Sequence, residues 1–353
     1  MNRKYILPLL LPVQLILLRI AALFPDWVEE YYSNGLYKWL SGTSRSILGW
    51  SSISIGDLCY FVVGFLILRW FYITRKTWPY KWRDHLLKIL GTLSVALFFF
   101  NLCWGGNYHR VPLYQKLGIE KKYNIQQLHA FTINLIGITN AAHDRIADQD
   151  TVQVVFPYTQ EQVFVRNLSG YNTLAKMHPE FEYERSSIKK SLISLPLTYM
   201  GFAGYLNPFT GEAQVNSKLP MYNFPTTACH EMAHQIGYAS ESEANFIGYL
   251  ASVNNSDPYY QYSGYTFALK YCLSTMERIQ KGSSKPYRQM IHPGILKNFE
   301  ESKTFWRQHQ TFIEDGFALF YDNFLKLNRQ KDGLESYSKF VDLLVNYHKI
   351  KSL

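Results

Sequence analysis

Four cysteines are all that this 353-residue chain contains, and no two stand in a C-x-x-C pair. A thiolate zinc ribbon and a redox dithiol are thereby excluded. A glycine-rich phosphate loop is also missing, so a nucleotide-driven enzyme has no support. Internal repeats and low-complexity tracts are absent. The net charge of +9 is unevenly spread: residues 1–105 carry 11 Lys+Arg against 5 Asp+Glu, and the remainder 25 against 22. The later two thirds are thus nearly neutral, without a basic run and without aromatics interleaved among Arg and Lys. No nucleic-acid partner is expected.

The basic excess of the first hundred residues accompanies three apolar stretches, 6–24, 56–73 and 86–104, each about long enough to cross a bilayer. Arg19, Arg69 and Lys88 interrupt them; the latter two sit near the ends, from which a long side chain reaches the headgroups. Trp27, Tyr31, Trp70, Trp78, Trp82 and Trp104 flank the stretches as interfacial belts do. Arg3 and Lys4 begin the first stretch as they would a signal peptide, but no convincing small-x-small cleavage site follows it; span or cleaved signal, the orientation below is the same. Arg75, Lys76, Lys81 and Arg83 crowd the link between the second and third spans, whereas the 25–55 link has only Lys38 and Arg45 beside three acids. The positive-inside rule therefore sends everything after Trp104 outside. The expected protein is multi-pass in the cell (inner) membrane, with residues 1–105 as a transmembrane region and 106–353 as an extracytoplasmic domain.

In that outer domain, 124–146 reads as a helix and 152–165 as two short strands or a hairpin. A polar Lys- and Glu-rich helical stretch runs to about 190. Residues 196–220 are dense in Gly, Pro, Tyr and Thr, and helical patterns dominate from 246 onward, broken near Pro258, Gly264 and Pro293. Cys229 and Cys272, the domain's only cysteines, read as buried packing rather than as a bridge.

The chemistry sits at His230-Glu231-Met232-Ala233-His234. Residues four apart share one face of a helix, so H-E-x-x-H aims both imidazoles at one point. Glu231 lies about 100° round, within reach of a water beside the metal. Pro225, Thr226 and Thr227 mark a helix start, and Gly237 a stop. Zinc in a hydrolase needs a third protein ligand and an open position. A second helix, capped by Ser240 with Glu243 as its capping-box partner, has Glu241, Ala244, Asn245 and Gly248 on one face. Its small residues permit close approach, so Glu241 is preferred to Glu243 as third ligand, with Asn245 bonding a ligand from behind. Tyr262 and Tyr265 are read as packing. Lys326, Asn328 and Tyr337 are read as structural, and Glu212 and Asn216 as belonging to a strand lining the cleft.

Glu241-x-x-Ala244-Asn245 resembles the E-x-x-A-[DN] element of gluzincin metallopeptidases, although only six residues separate it from His234. H-E-x-x-H-x-x-G resembles the start of the metzincin pattern, but Ser240 stands at that pattern's third ligand. A wider likeness joins G-Y-L-N-P-F-T-G-E-A-Q-V-N (204–216), C-H-E-M-A-H-Q-I-G-Y-A-S-E-S-E-A-N-F, Y-S-G-Y (262–265), the 324–337 segment and the three spans. Together these resemble an uncharacterised bacterial membrane family, domain of unknown function 3810. The resemblance implies a membrane-tethered, zincin-like protein. The expected fold is an α-helical anchor of three spans plus an α-rich α+β zincin-like domain. The expected activity is that of a Zn²⁺ metallopeptidase in which His230, His234 and Glu241 hold the metal and Glu231 is the general base. Residues 209–215 would hold the peptide or envelope-protein substrate as an edge strand. The alternatives are a non-catalytic envelope sensor or peptide-binding scaffold of the same shape, and hydrolysis of a non-peptide amide in the cell wall.

Overall fold

Helices Ile55–Thr74 and Trp78–Cys103 are long and apolar enough to cross a bilayer. At about 1.5 Å per residue, Ile55–Thr74 and the part of Trp78–Cys103 beyond a kink at Lys81 reach roughly 30 and 33 Å, against a hydrocarbon core of about 30 Å. The computed structural model describes residues 5–328 and 338–351. Arg3, Lys4, Tyr337 and the rest of 329–337 lie outside the described residues. The first apolar stretch forms a shorter helix, Ile6–Ala21, followed by a 100° bend into Pro25–Leu48; it makes a third span only if that bent pair crosses as one. Ile6–Ala21 leans on Trp78–Cys103, where Gln14 donates to the Ser94 hydroxyl at 2.8 Å. Trp78–Cys103 starts well before residue 86: Pro79 lies in its first turn, the backbone kinks at Lys81 (φ −123°, ψ 27°), and the charged residues beyond the kink are good helix formers. Hydropathy does not register that first part.

The link between the first two helices does not hang free. Its helical course from Val28 to Leu48 packs against the domain that follows Trp104. Tyr37 donates to the carbonyls of His234 (3.3 Å) and Gln235 (3.1 Å), and Ser41 to that of Gln235 (2.8 Å). Arg110 donates to the Gly237 carbonyl at 2.8 Å and grips Glu29 with two nitrogens at 2.8 and 2.6 Å. Glu29 also pairs with Lys116 at 2.6 Å.

A three-stranded sheet supplies the second joint to the anchor. Its order is β1 (Ile188–Lys190), β3 (Ala213–Val215), β2 (Gly204–Leu206), with β1–β3 parallel and β2–β3 antiparallel. Glu212, just before β3, is buried and paired with buried Lys189. It accepts the first free amides of the second span, Ile55 N at 3.1 Å and Gly56 N at 2.5 Å. A carboxylate at a helix N-terminus is favoured by the helix dipole. Asp57 accepts from Ser191, Leu192 N and the Tyr205 hydroxyl.

Several expectations are corrected here. Residues 209–215 are not an edge strand, because β3 is flanked on both sides. Asn207 accepts from Phe209 N and Thr210 N, and Gly211 turns at φ +63°, folding 204–215 into a hairpin whose other arm, β2, is the edge. Residues 152–159 form no strand, and 160–165 are helical. A capping box of Thr159 and Gln162 starts helix Gln160–Met177 there. The Lys- and Glu-rich helix stops at Met177, and β1 occupies 188–190. Glu212 serves the anchor joint. Asn216 donates to Thr198 and the Phe202 carbonyl, and neither residue lines the cleft. Cys229 and Cys272 are free and buried, as expected.

Glu212→Ala would leave Lys189 buried without its countercharge. Thermal unfolding of the detergent-solubilised chain is expected to show a loss of about 3–5 kcal/mol, largely recovered in Glu212→Leu/Lys189→Met. A single variant within about 1 kcal/mol of the parent would refute the joint.

Candidate functional site

The H-E-x-x-H residues lie on helix Phe224–Gln235, which is buried on nearly every side. Its end is a Schellman turn: Gly237, at φ +90°, donates to the His234 carbonyl at 2.9 Å and Tyr238 N to that of Ala233 at 3.3 Å. The turn carries the Tyr238 carbonyl under His234, 2.7 Å from Nδ1. A carbonyl only accepts, so Nδ1 holds the proton and Nε2 presents its lone pair to the site. The stop glycine thus also sets a tautomer.

Helix Glu241–Val253 packs directly on this helix. A Cβ on Gly248 would stand 2.8 Å from His230 N and 3.0 Å from its Cα, so only glycine permits the approach. Glu241 Oε2 then lies 3.3 Å from His230 Nε2 and 3.9 Å from His234 Nε2. The two imidazole rings are perpendicular, with centroids 4.6 Å apart. Ligand atoms of His230, Glu231 and His234 fall within 4.8 Å of one another. Zinc bonds of about 2.0–2.1 Å imply tetrahedral edges of roughly 3.3 Å. The His230–Glu241 separation matches that edge, and the His234–Glu241 one is slightly wide. Two nitrogens, one carboxylate oxygen and an open side form a donor set that fits zinc. Glu243 points elsewhere: it accepts from Leu113 N at 2.7 Å, and Ser240 makes no side-chain cap, so the expected capping box is not formed.

Burial governs the charges. It pushes Glu231 up to about 8 against the pull of His230. Burial and the His230 charge hold His234 down at about 4. For Glu241 burial acts upward, but the His230 hydrogen bond, both histidine charges and the Tyr321 hydroxyl outweigh it, to about 2. Burial would lower His230, but the Glu241 hydrogen bond and the Glu231 and Glu241 charges raise it, so a metal here would have to displace its proton. Among the described residues, Glu231 Oε2, His230 Nδ1 and the Asn245 amide nitrogen are buried without hydrogen-bond partners. Asn245 lies beside His230.

These residues open into a cleft of about 850 Å³. β2 forms one wall; a Cβ on Gly204 would reach 2.5 Å from Glu231 Oε1, so glycine is needed there too. The opposite wall contains residues that sequence reasoning did not find. Tyr321, on helix Phe312–Leu327, donates to Glu241 Oε1 at 2.5 Å. Trp104, at the end of the last span, sets its ring edge-on to His234, 5.7 Å away. No local pattern marks either one among 27 Tyr and 8 Trp. Tyr262 instead donates to Asn298 at 2.7 Å in the core, Tyr265 packs on Tyr249, and Asn328 caps the Phe324 carbonyl. Lys326 pairs with Asp322 at 2.6 Å.

Gly248→Ala is expected to cost about 1–3 kcal/mol by overpacking, and Gly237→Ala a similar amount through its left-handed backbone. Denaturant unfolding measures both. Losses below about 0.5 kcal/mol would show that the helices are not so closely apposed.

A family model described as a protein of unknown function (DUF3810) matches residues 32–345. No curated protein and no solved structure gives a significant match. With nearly the whole chain matched, from the link helix to the last helix of the domain, this protein belongs to the DUF3810 family.

Proposed function

We propose that this chain is a membrane-anchored zinc metallopeptidase whose domain faces the extracytoplasmic side and cleaves envelope polypeptides at the membrane surface. The observation that carries the reading is Glu241 Oε2 at 3.3 and 3.9 Å from the Nε2 atoms of His230 and His234, beside a buried Glu231 Oε2 that has no hydrogen-bond partner among the described residues. Bound zinc would supply Lewis acidity and lower the pKa of water toward about 7. His230 and His234 through Nε2, and Glu241 through Oε2, would hold it. Tyr321 keeps Glu241 in place from the other oxygen.

Glu231 does the proton work. Its carboxylate accepts a proton from the attacking water and returns it to the leaving amine nitrogen. Burial favours holding that proton between the two steps, although a cation nearby would draw the Glu231 pKa down from about 8. The substrate backbone would lie along β2. Ala203 and Asn207 bond toward β3, so the alternation leaves the main-chain groups of Gly204 and Leu206 on the open edge. An extended peptide pairs with such an edge as an added strand.

Two features support a membrane-surface substrate. Tyr60, in the second turn of Ile55–Thr74, and Phe100, in the last turn of Trp78–Cys103, belong to the cleft wall. Phe324 of helix Phe312–Leu327 packs on Phe100 at 6.1 Å, while Phe312, Leu319 and Leu327 of the same helix are 84%, 67% and 85% exposed. An apolar face continuous with a span end suits the headgroup boundary. The basic turn of Arg75, Lys76, Lys81 and Arg83 at the other end of the spans faces the cytoplasm by the positive-inside rule.

The test compares membranes carrying the parent chain with membranes carrying Glu231→Gln, counting new polypeptide ends by mass spectrometry. Parent-specific ends are expected, reduced about 10²–10⁴-fold in the variant while cleft zinc is retained. Equal ends from two zinc-loaded proteins would remove the peptidase reading.

A further inference from the structure

A second cluster of metal-type donors lies outside the cleft, where helix Ile125–Asp144 ends and helix Pro293–His309 begins. His143 is fully buried, and its Nε2 faces the Val152 carbonyl at 2.8 Å. Because a carbonyl only accepts, Nε2 carries the proton and Nδ1 keeps its lone pair. His292 Nδ1 stands 3.4 Å from that Nδ1 and 3.4 Å from Asp144 Oδ1. All three donor atoms fall within 4.8 Å of one another. Both 3.4 Å separations are long for a hydrogen bond, which centres near about 2.9 Å. They match the roughly 3.3 Å edge of a tetrahedron around a zinc-sized ion.

We propose that His143, Asp144 and His292 form a second site for a divalent transition metal, with zinc as the reference ion. Two imidazoles and one carboxylate are a borderline donor set that suits zinc, cobalt or nickel and disfavours calcium and magnesium. The His143–Val152 hydrogen bond fixes ring and tautomer as a bond behind a metal ligand does. A Cβ on Gly294 would meet His143 Nε2 at 2.5 Å, so the backbone itself closes around the ring. Local charge also favours a cation: the carbonyl end of Ile125–Asp144 carries partial negative charge, and residues 144–150 contain three Asp against one Arg. The Asp144 side chain is 60% exposed, which leaves a side open for water and for exchange of the ion. Occupancy would clasp two helix ends across the 145–152 connection. This site is independent of the peptidase reading.

Equilibrium dialysis of the full-length chain in detergent, with zinc alone as probe, decides the matter. The parent is expected to hold two zinc ions and His230→Ala/His234→Ala one. Adding His292→Ala should remove the remaining ion, and Asp144→Asn should weaken it at least tenfold. His292 makes no side-chain cap on its helix, so zinc-free thermal midpoints should be unchanged and confirm folding. A His230→Ala/His234→Ala protein without zinc, or one whose zinc survives His292→Ala, overturns the second site while leaving the cleft untouched. Zinc lost only on His292→Ala supports the second site and removes the cleft one.

Discussion

The C-terminal carbonyls of helix Phe224–Gln235 are the point on which this fold turns. A helix ends with carbonyls that its own backbone cannot satisfy, and these are buried. Gly237 and Tyr238 satisfy those of His234 and Ala233 from within the chain's own turn, Tyr37 and Ser41 reach those of Gln235 and His234 from outside it, and Arg110 holds the Gly237 carbonyl of the turn itself. Tyr37 and Ser41 come from the segment between the first and second helices of the anchor. The helix bearing both histidines is therefore finished by the anchor, and the hydrogen bonds that end it also aim His234.

The sheet is joined to the anchor by the same logic at the opposite kind of helix end. Glu212 sits where the first amides of the second apolar helix would otherwise be bare and pairs with Lys189 of β1, while Asp57, in the first turn of that helix, accepts from Leu192 N beside the sheet. One result is that β2, the cleft wall, and Glu231, which lies against Gly204, are held in place relative to the helix Ile55–Thr74. Trp104 and Phe100 complete the wall from the last span. A site assembled in this way has its position relative to the apolar helices fixed by buried polar contacts, each costly to leave unmade.

What could be read in the sequence was what short-range geometry controls. His230, Glu231, His234 and Gly237 follow from helical period and stop chemistry, and Glu241 and Gly248 from the face of the next helix, since all lie within twenty residues. The helical anchor and the helix-rich character were legible because hydrophobic runs and 3.6-residue periods are local. Strand order was not: whether 213–215 is central or an edge depends on β1, more than twenty residues away. Alternation at 152–165 misled because a capping box outweighed it. Glu212 looked like cleft chemistry, yet its partners, Ile55 and Gly56, are more than 150 residues distant. Tyr37, Tyr321 and Trp104 reach the site from elements that no spacing connects to it.

The central claim is that His230, His234 and Glu241 make a zinc-type centre, and the most direct test is zinc K-edge X-ray absorption on the zinc-loaded full-length chain carrying His292→Ala. Nitrogen and oxygen scatterers at about 2.0–2.1 Å are predicted, with imidazole multiple scattering that falls when His234→Ala is added. A sulfur shell at about 2.3 Å, which would implicate the neighbouring Cys229, or an imidazole signal indifferent to His234→Ala, would contradict it.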